Sequence, residues 1–357
     1  MKALLTSLAT ATALSLTLVP AAFAQQDSVE ACFVYVGPAN DGGWSQAHDV
    51  ARQKVEAHFG DAVTTRYVES IPESSSEGAI ERMARSGCDI VFTTSFGFMD
   101  PTLAVAERFP DVLFEHATGY KTAPNMSAYN SRFHEGRYIQ GVIAASVSEV
   151  GVAGYIASVP IPEVILGINA FILGAQSVNP DFSLKVVWVN DWHNPGLEAD
   201  AAKVLLDQGV DILTQHTDST APIQEAAARG VKAFGQASDM IAAGPETQLT
   251  AIIDSWEAYY IDRVQAILDG TWEEQNVWLG LKDGILTMAP YTNMPDDVKA
   301  LAEETEAAIV SGDLVIYEGP INRQDGTQWL ADGEVADDGT LLGLNFYVEG
   351  VDDQLPQ

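Results

Sequence analysis

Two halves of the chain repeat one alternation of short β-rich runs and helical patterns, and this repeat limits the possible folds more than any other feature. Residues 86–119 read SGCDIVFTTSFGFMDPTLAVAERFPDVLFEHATG, and residues 208–239 read QGVDILTQHTDSTAPIQEAAARGVKAFGQASD. Both follow the order glycine, strand, polar turn, helix, strand, polar turn. Strands that alternate with helices of about 10–15 residues indicate βαβ units and a parallel sheet. The repeat therefore predicts an α/β protein of two doubly wound lobes.

The boundaries of strands and helices follow from the apolar periodicity of each half. The first half is predicted to form strands at 32–36, 64–68, 89–94 and 112–116 and helices at 46–59, 77–86 and 101–109. After a long helix at 134–150, the second half is predicted to form strands at 152–159, 184–189, 211–214 and 231–235 and helices at 163–178, 198–208 and 222–229. In open parallel sheets, ligands bind at the carboxyl ends of the strands. Two facing lobes would therefore present the turns after these strands across one crevice.

The chain is expected to cross between the lobes near residues 130, 250 and 280. The first lobe would contain residues 25–130 and about 251–280, including a helix at 255–268, and the second lobe residues 131–250 and about 281–310. The remaining residues, 311–357, are rich in Asp and Gly. We expect this extension to wrap a lobe with turns and short strands, with Trp329, Phe346 and Tyr347 as anchors.

The first 24 residues have the pattern of a secretory signal peptide. Lys2 supplies a positive start, residues 3–20 are apolar or Ser/Thr, and Ala22-Phe23-Ala24 is a small-x-small cleavage site. The mature chain would begin at Gln25, without a cysteine that could carry a lipid anchor. We therefore expect export to a bacterial periplasm in a soluble, unanchored form.

The formal charge is −32, or −33 once Lys2 is removed with the signal. This excess of acid disfavours binding to nucleic acid and to anionic membranes. We expect a monomer whose ligand is a small molecule.

The two cysteines each open an apolar run. Cys32 begins CFVYV and Cys88 begins CDIVF. If these runs are adjacent parallel strands that start in register, the cysteines lie about one strand spacing apart. A disulfide is then plausible in an oxidising compartment, and two small buried thiols are the alternative.

Motifs for catalysis are weak. Residues 43–47 (GWSQA) nearly match the G-x-S-x-G nucleophile elbow, but the last glycine is alanine, seven residues separate Val36 from Trp44, and no HGGG-type loop is present. Ser45 is therefore a poor candidate for a nucleophile. The six histidines form no H-E-x-x-H pair, and no phosphate or dinucleotide motif follows a strand. We expect a protein that is not an enzyme and needs no metal or cofactor.

Aromatic side chains lie in the turns where strands should end. Trp44 lies in GPANDGGWSQAHD, after the first strand, and Trp192 lies in NDWHNPG, in the corresponding zone of the second half. Two rings offered from opposing lobes can hold a planar ligand between them, and base–aromatic stacking is worth about 1–3 kcal/mol per base. Packing of each tryptophan under its own lobe is the alternative.

Other strand-end residues are candidates for the same cleft. Phe96 is a further aromatic, and the polar candidates are Asn40, Asp41, Ser45, Asn130, Asp218 and Asp239. Carboxylates accept hydrogen bonds from N–H groups such as an amino-substituted purine offers. These side chains could therefore recognise the edge of a purine ring.

Several of these motifs together resemble the basic membrane protein (BMP) family, the purine nucleoside receptor group of ABC-transporter substrate-binding proteins. The matching stretches, within residues 31–310, are G-x-x-x-D-G-G-W-S-Q, SFGFMDP, FHEGRYIQG, NDWHNPG, and GVDILTQHTDST followed by GQASDM. The resemblance implies a type I periplasmic binding protein with a hinge, which hands a purine nucleoside or base to an ABC permease in the inner membrane. It implies a base stacked between Trp44 and Trp192, a purine-edge carboxylate on Asp239, and Asn40 and Asp41 near a ribose.

Departures from the family pattern bear on the ligand. Family receptors usually carry phenylalanine at both stacking positions and a lysine near the ribose, whereas residues 249–256 (LTAIIDSW) contain no lysine. Larger stacking surfaces and a lost sugar contact favour a free base such as adenine. The aspartate that the family pattern places near the start of FHEGRYIQG is absent, and Arg132 lies at this point of the sequence. Arg132 either donates to a purine nitrogen or pairs with a surface acid. A sensor component that docks on a membrane receptor, and less favourably a small-molecule hydrolase, remain alternative functions.

Overall fold

The computed structural model describes residues 25–356, so the predicted signal peptide at 1–24 lies outside the described residues. The strands are β1 Val29–Tyr35, β2 Val63–Val68, β3 Ile90–Thr94, β4 Leu113–Ala117, β5 Met126–Ser131, β6 Val152–Ala157, β7 Ser183–Trp188, β8 Ile212–His216, β9 Lys232–Gly235, β10 Gln248–Asp254, β11 Asn276–Leu279, β12 Leu286–Met288, β13 Ile321–Asn322 and β14 Gln328–Leu330. The helices are α1 Trp44–Phe59, α2 Ser76–Arg85, α3 Met99–Arg108, α4 Phe133–Val147, α5 Pro162–Val178, α6 Pro195–Asp207, α7 Ala221–Arg229, α8 Glu257–Asp269, α9 Asp296–Ser311 and α10 Asp338–Leu342.

The described residues form two six-stranded sheets, one for each lobe, which confirms the predicted fold class. The first sheet has the strand order β11-β5-β4-β3-β1-β2 and is parallel throughout. The second has the order β12-β10-β9-β8-β6-β7 and is parallel except for β12, which runs antiparallel to β10. The central strands β3 and β4 are buried along their whole length, as expected for strands covered on both faces.

The chain passes between the lobes after β5, after β10 and after β11. After the second passage, α8 returns to the first lobe and packs against α1 and β1. Two buried groups fix it there: Arg263 Nε donates to Glu115 Oε1 at 2.7 Å, and the Tyr259 hydroxyl donates to Glu115 Oε2 at 2.7 Å. Because a buried carboxylate is costly unless it is paired and hydrogen-bonded, these contacts define where α8 sits.

Helices α4 and α5 of the second lobe pack with their backbones in contact. A Cβ atom on Gly141 would lie 1.9 Å from the Phe171 carbonyl oxygen, and one on Gly174 would lie 2.1 Å from that of Tyr138. Only glycine allows this approach. The close pair holds α4, the first element after the first passage, rigidly on the second lobe.

Cys32 and Cys88 form a disulfide with their Cα atoms 5.9 Å apart. Their strands are adjacent and parallel, but the register pairs Cys32 with Val91, so the expectation that the two cysteine runs start in register is wrong. The reason is that β1 begins at Val29, before Cys32. Cys88 therefore reaches the bond from the turn that precedes β3.

The described part of the extension, residues 311–356, packs mainly on the second lobe. The buried Asn169 of α5 donates to the Phe346 carbonyl oxygen at 2.9 Å and accepts from the Val348 amide at 3.1 Å. The Tyr347 hydroxyl accepts from Trp188 Nε1 at 2.9 Å. Besides the short ribbon β13–β14, the extension contains α10, which lies at the edge of the cleft between the lobes.

Candidate ligand-binding cleft

A narrow cavity lies between the lobes, at the carboxyl ends of the strands. It is lined from the first lobe by Val36, Trp44, Ser95, Phe96 and Thr118, and from the second lobe by Glu163, Trp192, His216, Asp218 and Gln236. Because ligands of open parallel sheets bind at the carboxyl ends of the strands, this cavity is the candidate site.

Trp44 begins α1 and is held by its own lobe. Its Nε1 donates to the Thr94 carbonyl oxygen at 2.7 Å, and its ring meets His48 and Trp256 edge to face, with centroids 4.3 and 5.6 Å away. These contacts fix the plane of the indole while the side chain still lines the cavity. A rigid ring of this kind suits stacking, because little conformational entropy is lost when a ligand binds.

Trp192 lies in the turn after β7 and faces the first lobe. Its Nε1 donates to Glu73 Oε1 at 3.1 Å. The same oxygen accepts from Ser95 Oγ at 2.6 Å and from the Gly97 amide at 3.0 Å. A carboxylate of the first lobe therefore orients the aromatic ring of the second.

Three titratable groups of the second lobe border the cavity, and burial shifts the pKa of each towards its neutral form. Burial raises the pKa of Glu163 to about 8. Burial, together with the nearby Asp41, holds the pKa of Asp218 well above its usual range. Burial lowers the pKa of His216 well below its usual range. Within residues 25–356, Asp218 Oδ2, Glu163 Oε2 and His216 Nδ1 have no hydrogen-bond partner, so each is available to a ligand.

Gln236 completes this polar side of the cavity. The buried guanidinium of Arg137 donates to Gln236 Oε1 and, at 3.0 Å, to Gln140 Oε1. Because the Gln236 oxygen is bound by Arg137, the amide NH₂ is the part of this side chain that a ligand can use.

The structure brings together four of the residues that the sequence analysis singled out: Trp44, Trp192, Phe96 and Asp218 line the cavity. Asn130 lines an adjoining space instead. Five other candidates (Asn40, Asp41, Ser45, Arg132 and Asp239) lie outside the set of cavity-lining residues.

Three of these five lie in the turn after β1 or at the start of α1. The Asp41 carboxylate accepts from the amides of Gly43, Ser45 and Gln46 at 2.8–3.0 Å and thereby caps α1. Ser45 Oγ accepts from the Gly37 amide at 3.1 Å. Asn40 is exposed at the tip of the same turn. The local backbone therefore uses the polar groups of Asp41 and Ser45.

The other two are held by contacts elsewhere. Asp239 is exposed, and its Oδ1 accepts from Gln248 Nε2 at 2.7 Å and from the Ile241 amide at 3.1 Å. Arg132 forms a two-point ion pair with Asp338 and stacks over Trp278 at 4.2 Å. Of the two roles considered for Arg132, the structure places it in the one that pairs with a surface acid.

Sequence reasoning missed several lining residues: Val36, Ser95, Thr118, Glu163, His216 and Gln236. Each lies at or near the end of a strand, so the strand-end rule could have found them. Glu163 could not be identified as a site residue from the sequence, because the chain contains fifty acidic residues and nothing in the sequence distinguishes this one.

Two larger spaces continue the cavity on either side. The polar space, about 1120 Å³, lies between residues 70–74 of the first lobe and 190–193 of the second, and it shares Val36 and Trp192 with the cavity. The apolar space, about 1140 Å³, shares Phe96, Thr118 and Glu163 with the cavity. Both are more open to solvent than the cavity, and the three spaces together form a longer cleft.

The part of the chain that the structure describes holds no cluster of His, Cys, Asp and Glu suited to a metal ion. Within the same residues, no helix has the length and apolar character required to cross a membrane.

Comparison with known proteins finds relatives over most of the chain. The sequence model of one family, described as ABC transporter substrate-binding protein PnrA-like, matches residues 28–324. A purine-binding protein of Brucella abortus (strain 2308) is 64% identical over 333 residues, which cover 93% of this chain and 95% of that protein. A Haloferax volcanii protein named as a candidate ABC-transporter glucose-binding protein is 37% identical over 92% of this chain and 82% of its own length.

Solved structures agree on the architecture. A solute-binding protein of an ABC transporter system from Aeropyrum pernix K1 superposes with a TM-score of 0.72 at 19% identity, over 88% of this chain and 95% of that chain. At this level of identity the likeness supports the fold.

Proposed function

The chain belongs to the family of PnrA-like ABC transporter substrate-binding proteins, and from this premise we propose that it captures a purine in the periplasm and delivers it to a permease in the inner membrane. Proteins of this family bind solutes and are not enzymes. A free base, adenine in particular, is the proposed ligand, and a purine nucleoside is the second choice.

The observation that carries the proposal is that Trp44 and Trp192 line one cavity from opposite lobes. Closure of the lobes on a flat ring would bury both of its faces against an indole, each worth about 1–3 kcal/mol. The Brucella relative named as a purine-binding protein supports this ligand class at 64% identity.

Asp218 is the proposed reader of the purine edge, in place of Asp239. Burial holds the pKa of Asp218 well above its usual range, which favours the protonated carboxyl, and in this form it offers one O–H donor and one carbonyl acceptor. Adenine presents an N–H donor next to a ring-nitrogen acceptor, which matches this pair. The NH₂ of Gln236 and the imidazole of His216 offer further partners around the ring.

Preference for the base over the nucleoside follows from the residues that would hold a ribose. The segment at 249–256 lacks the lysine expected there, and the first part of it is the buried strand β10. Asp41, proposed from the family pattern to lie near the ribose, is engaged in capping α1. Neither position therefore offers a charged contact to a sugar hydroxyl.

A matched pair of variants tests the site. Asp218→Ala should weaken adenine binding by more than about tenfold, since the lost donor and acceptor leave buried polar groups of the base unpaired. Asp239→Ala, on an exposed carboxylate outside the cavity, should change the affinity by less than about twofold. Calorimetric titration with adenine, adenosine and glucose measures both effects. Equal losses in the two variants would refute the assignment of Asp218, and binding of glucose without any purine would refute the ligand class.

A further inference from the structure

We propose that the C-terminal extension forms the outer wall of a second ligand compartment, and that this compartment admits purines carrying an apolar substituent. The inference rests on the proposed function, because the purine ring would occupy the cavity between the tryptophans. The compartment is the apolar space of about 1140 Å³ described above. The extension is the segment at 311–357.

The walls of this compartment come from three parts of the chain. The first lobe contributes Phe96, Thr118, Gly119, Tyr120 and Asn130, the second lobe contributes Pro162 and Glu163, and the extension contributes Gly339, Leu342 and Gly343. Tyr120 and Leu342 are large apolar side chains left 55% and 39% exposed. The compartment therefore offers apolar surface that a ligand group could cover.

The extension is fixed where it borders the cleft. At its first helical turn, Asp338 forms the two-point ion pair with Arg132, which lies at the passage between the lobes. The Asp337 side chain caps α10 by accepting from the Thr340 amide at 2.7 Å, and Leu341 is 5% exposed. The wall is therefore preorganised, which lowers the cost of ligand binding.

The compartment adjoins the cavity. Phe96, Thr118 and Glu163 line both spaces, so a ligand in the cavity lies next to the compartment. Burial raises the pKa of Glu163 to about 8, and its neutral carboxyl places no charge at the junction. An apolar substituent that projects from the purine ring into the compartment meets no ionised carboxylate of Glu163 near neutral pH.

The opposite end of the cleft has different chemistry. The polar space there is lined by Ser70, Glu73, Ser74, Asn190 and Asp191 together with apolar residues such as Val36 and Val159, and it is more polar than the apolar compartment. A hydroxylated substituent would be better solvated at that end, and an apolar one beneath the extension. The contrast assigns the apolar compartment to an alkyl or aryl group on the purine.

Calorimetric titration of the mature protein with adenine and with N⁶-benzyladenine tests the inference. The expected result is that N⁶-benzyladenine binds at least as tightly as adenine, because its phenyl ring buries additional apolar surface. Binding of N⁶-benzyladenine more than about tenfold weaker than adenine would overturn the inference and leave the purine site in place. Failure of both purines to bind would overturn the proposed function and the inference with it.

Gly343→Phe fills the compartment from the extension. Gly343 has φ −105°, and a Cβ there would meet only the carbonyl oxygens of Gly339 and Thr340, at 3.6 and 3.8 Å, so the larger residue fits the backbone. This variant should lose about tenfold or more in affinity for N⁶-benzyladenine and less than about threefold for adenine. Equal losses for the two ligands would contradict the inference.

Two further variants keep the test decisive. Gly78→Phe places the same side chain on the exposed face of α2 in the first lobe, where a Cβ meets only Arg82 at 3.6 Å, and it should leave both affinities unchanged. Tyr120→Ala removes the opposite wall and should selectively weaken N⁶-benzyladenine by about threefold. If Gly343→Phe does not fold, an unchanged preference in Tyr120→Ala would still refute the compartment.

Discussion

The indole nitrogen of Trp192 donates to Glu73 Oε1 across the cleft at 3.1 Å, so an aromatic ring of one lobe is oriented by a carboxylate of the other. The hydrogen bond can exist only when the lobes are closed. Glu73 is in turn fixed by Ser95 and by the Gly97 amide. A Cβ on Gly97 would lie 2.3 Å from the Glu73 carboxyl carbon, so glycine is needed there for the carboxylate to reach its position.

Glu73→Ala should weaken purine binding by about tenfold, chiefly through faster dissociation, because the closed form loses a hydrogen bond between the lobes. Glu73→Gln keeps an acceptor oxygen and should retain most of the affinity. Stopped-flow dissociation and the NMR resonance of the Trp192 indole N–H measure the two effects separately. The Trp192→Phe variant has no indole N–H. If Glu73→Ala lowers the purine affinity by the same factor in this variant as in the wild type, Glu73 does not act through its hydrogen bond to Trp192.

Gly43→Ala should oppose closure without affecting the open form. A Cβ on Gly43 would lie 2.6 Å from the carbonyl oxygen of Asp218 in the opposite lobe. We expect an affinity loss of more than about tenfold with an unchanged melting temperature of the ligand-free protein. Small-angle scattering with ligand should show a larger radius of gyration than the wild type. Gly78→Ala, on an exposed helix face, is the control, and closure of Gly43→Ala to the wild-type radius would contradict the prediction.

Trp44→Ala should weaken adenine binding by more than about tenfold, the value of one lost stacking partner. It should also lower stability, because the indole packs edge to face on His48 and Trp256. Trp44→Phe keeps an aromatic face but loses the Nε1 hydrogen bond to Thr94, so a smaller affinity loss is expected. Calorimetry together with thermal melts separates affinity from stability, and unchanged adenine affinity in Trp44→Ala would remove this residue from the site.

The disulfide between Cys32 and Cys88 closes a long loop, with a sequence separation of 56. A loop-entropy account assigns such a bond about 4 kcal/mol of stability. A thiol count on the unfolded, unreduced protein should find no free thiol, and reductant should lower the melting temperature. The Cys32→Ala, Cys88→Ala double variant should melt lower than wild type and be insensitive to reductant. Two free thiols in the count would exclude the bond.

Much of the fold could be predicted because strands and helices alternate with clear periodicity. The strand-end rule then placed Trp44 and Trp192 in facing turns, and the structure finds both in one cavity. The rule does not say which side chain of a turn points inward, since that depends on backbone angles and on local hydrogen bonds. The chain turns with φ +60° at Ala237, and Asp239 then lies exposed, bound to Gln248.

Local competition for polar groups explains the other differences. Asp41 is drawn to three backbone amides at the start of α1, which is the ordinary behaviour of an aspartate next to unpaired helical N–H groups. Asp338 lies far along the chain from Arg132, so their pairing follows from the fold and not from any local pattern. The same holds for α10, whose place at the cleft depends on how the whole extension packs on the second lobe.

The buried Glu163 makes stability depend on pH. Burial raises its pKa from 4.5 to about 8, so between about pH 4.5 and pH 8 the folded protein keeps a proton that the unfolded chain has released. The contribution of Glu163 to the free energy of unfolding therefore falls as the pH rises through this window and levels off above about pH 8. The slope from one such group is at most about 1.4 kcal/mol per pH unit. Burial also raises the pKa values of Asp218 and Asp254, and both add slope of the same sign.

Glu163→Gln isolates the contribution of this group, because the amide has a similar shape and does not titrate. Melting temperatures of the ligand-free protein, measured from about pH 7 to pH 8.5, should fall less steeply in this variant than in the wild type. Glu246→Gln, on an exposed side chain, should keep the wild-type slope. Burial lowers the pKa values of His48, His116, His134 and His216, so below about pH 6.5 these imidazoles are protonated in the unfolded chain and neutral in the folded protein, and they add slope of the opposite sign there. The window from about pH 7 lies above that titration and leaves the carboxyl contribution visible. Parallel slopes for the wild type and Glu163→Gln would mean that water reaches this carboxyl in the ligand-free protein and that the site is open before the purine binds.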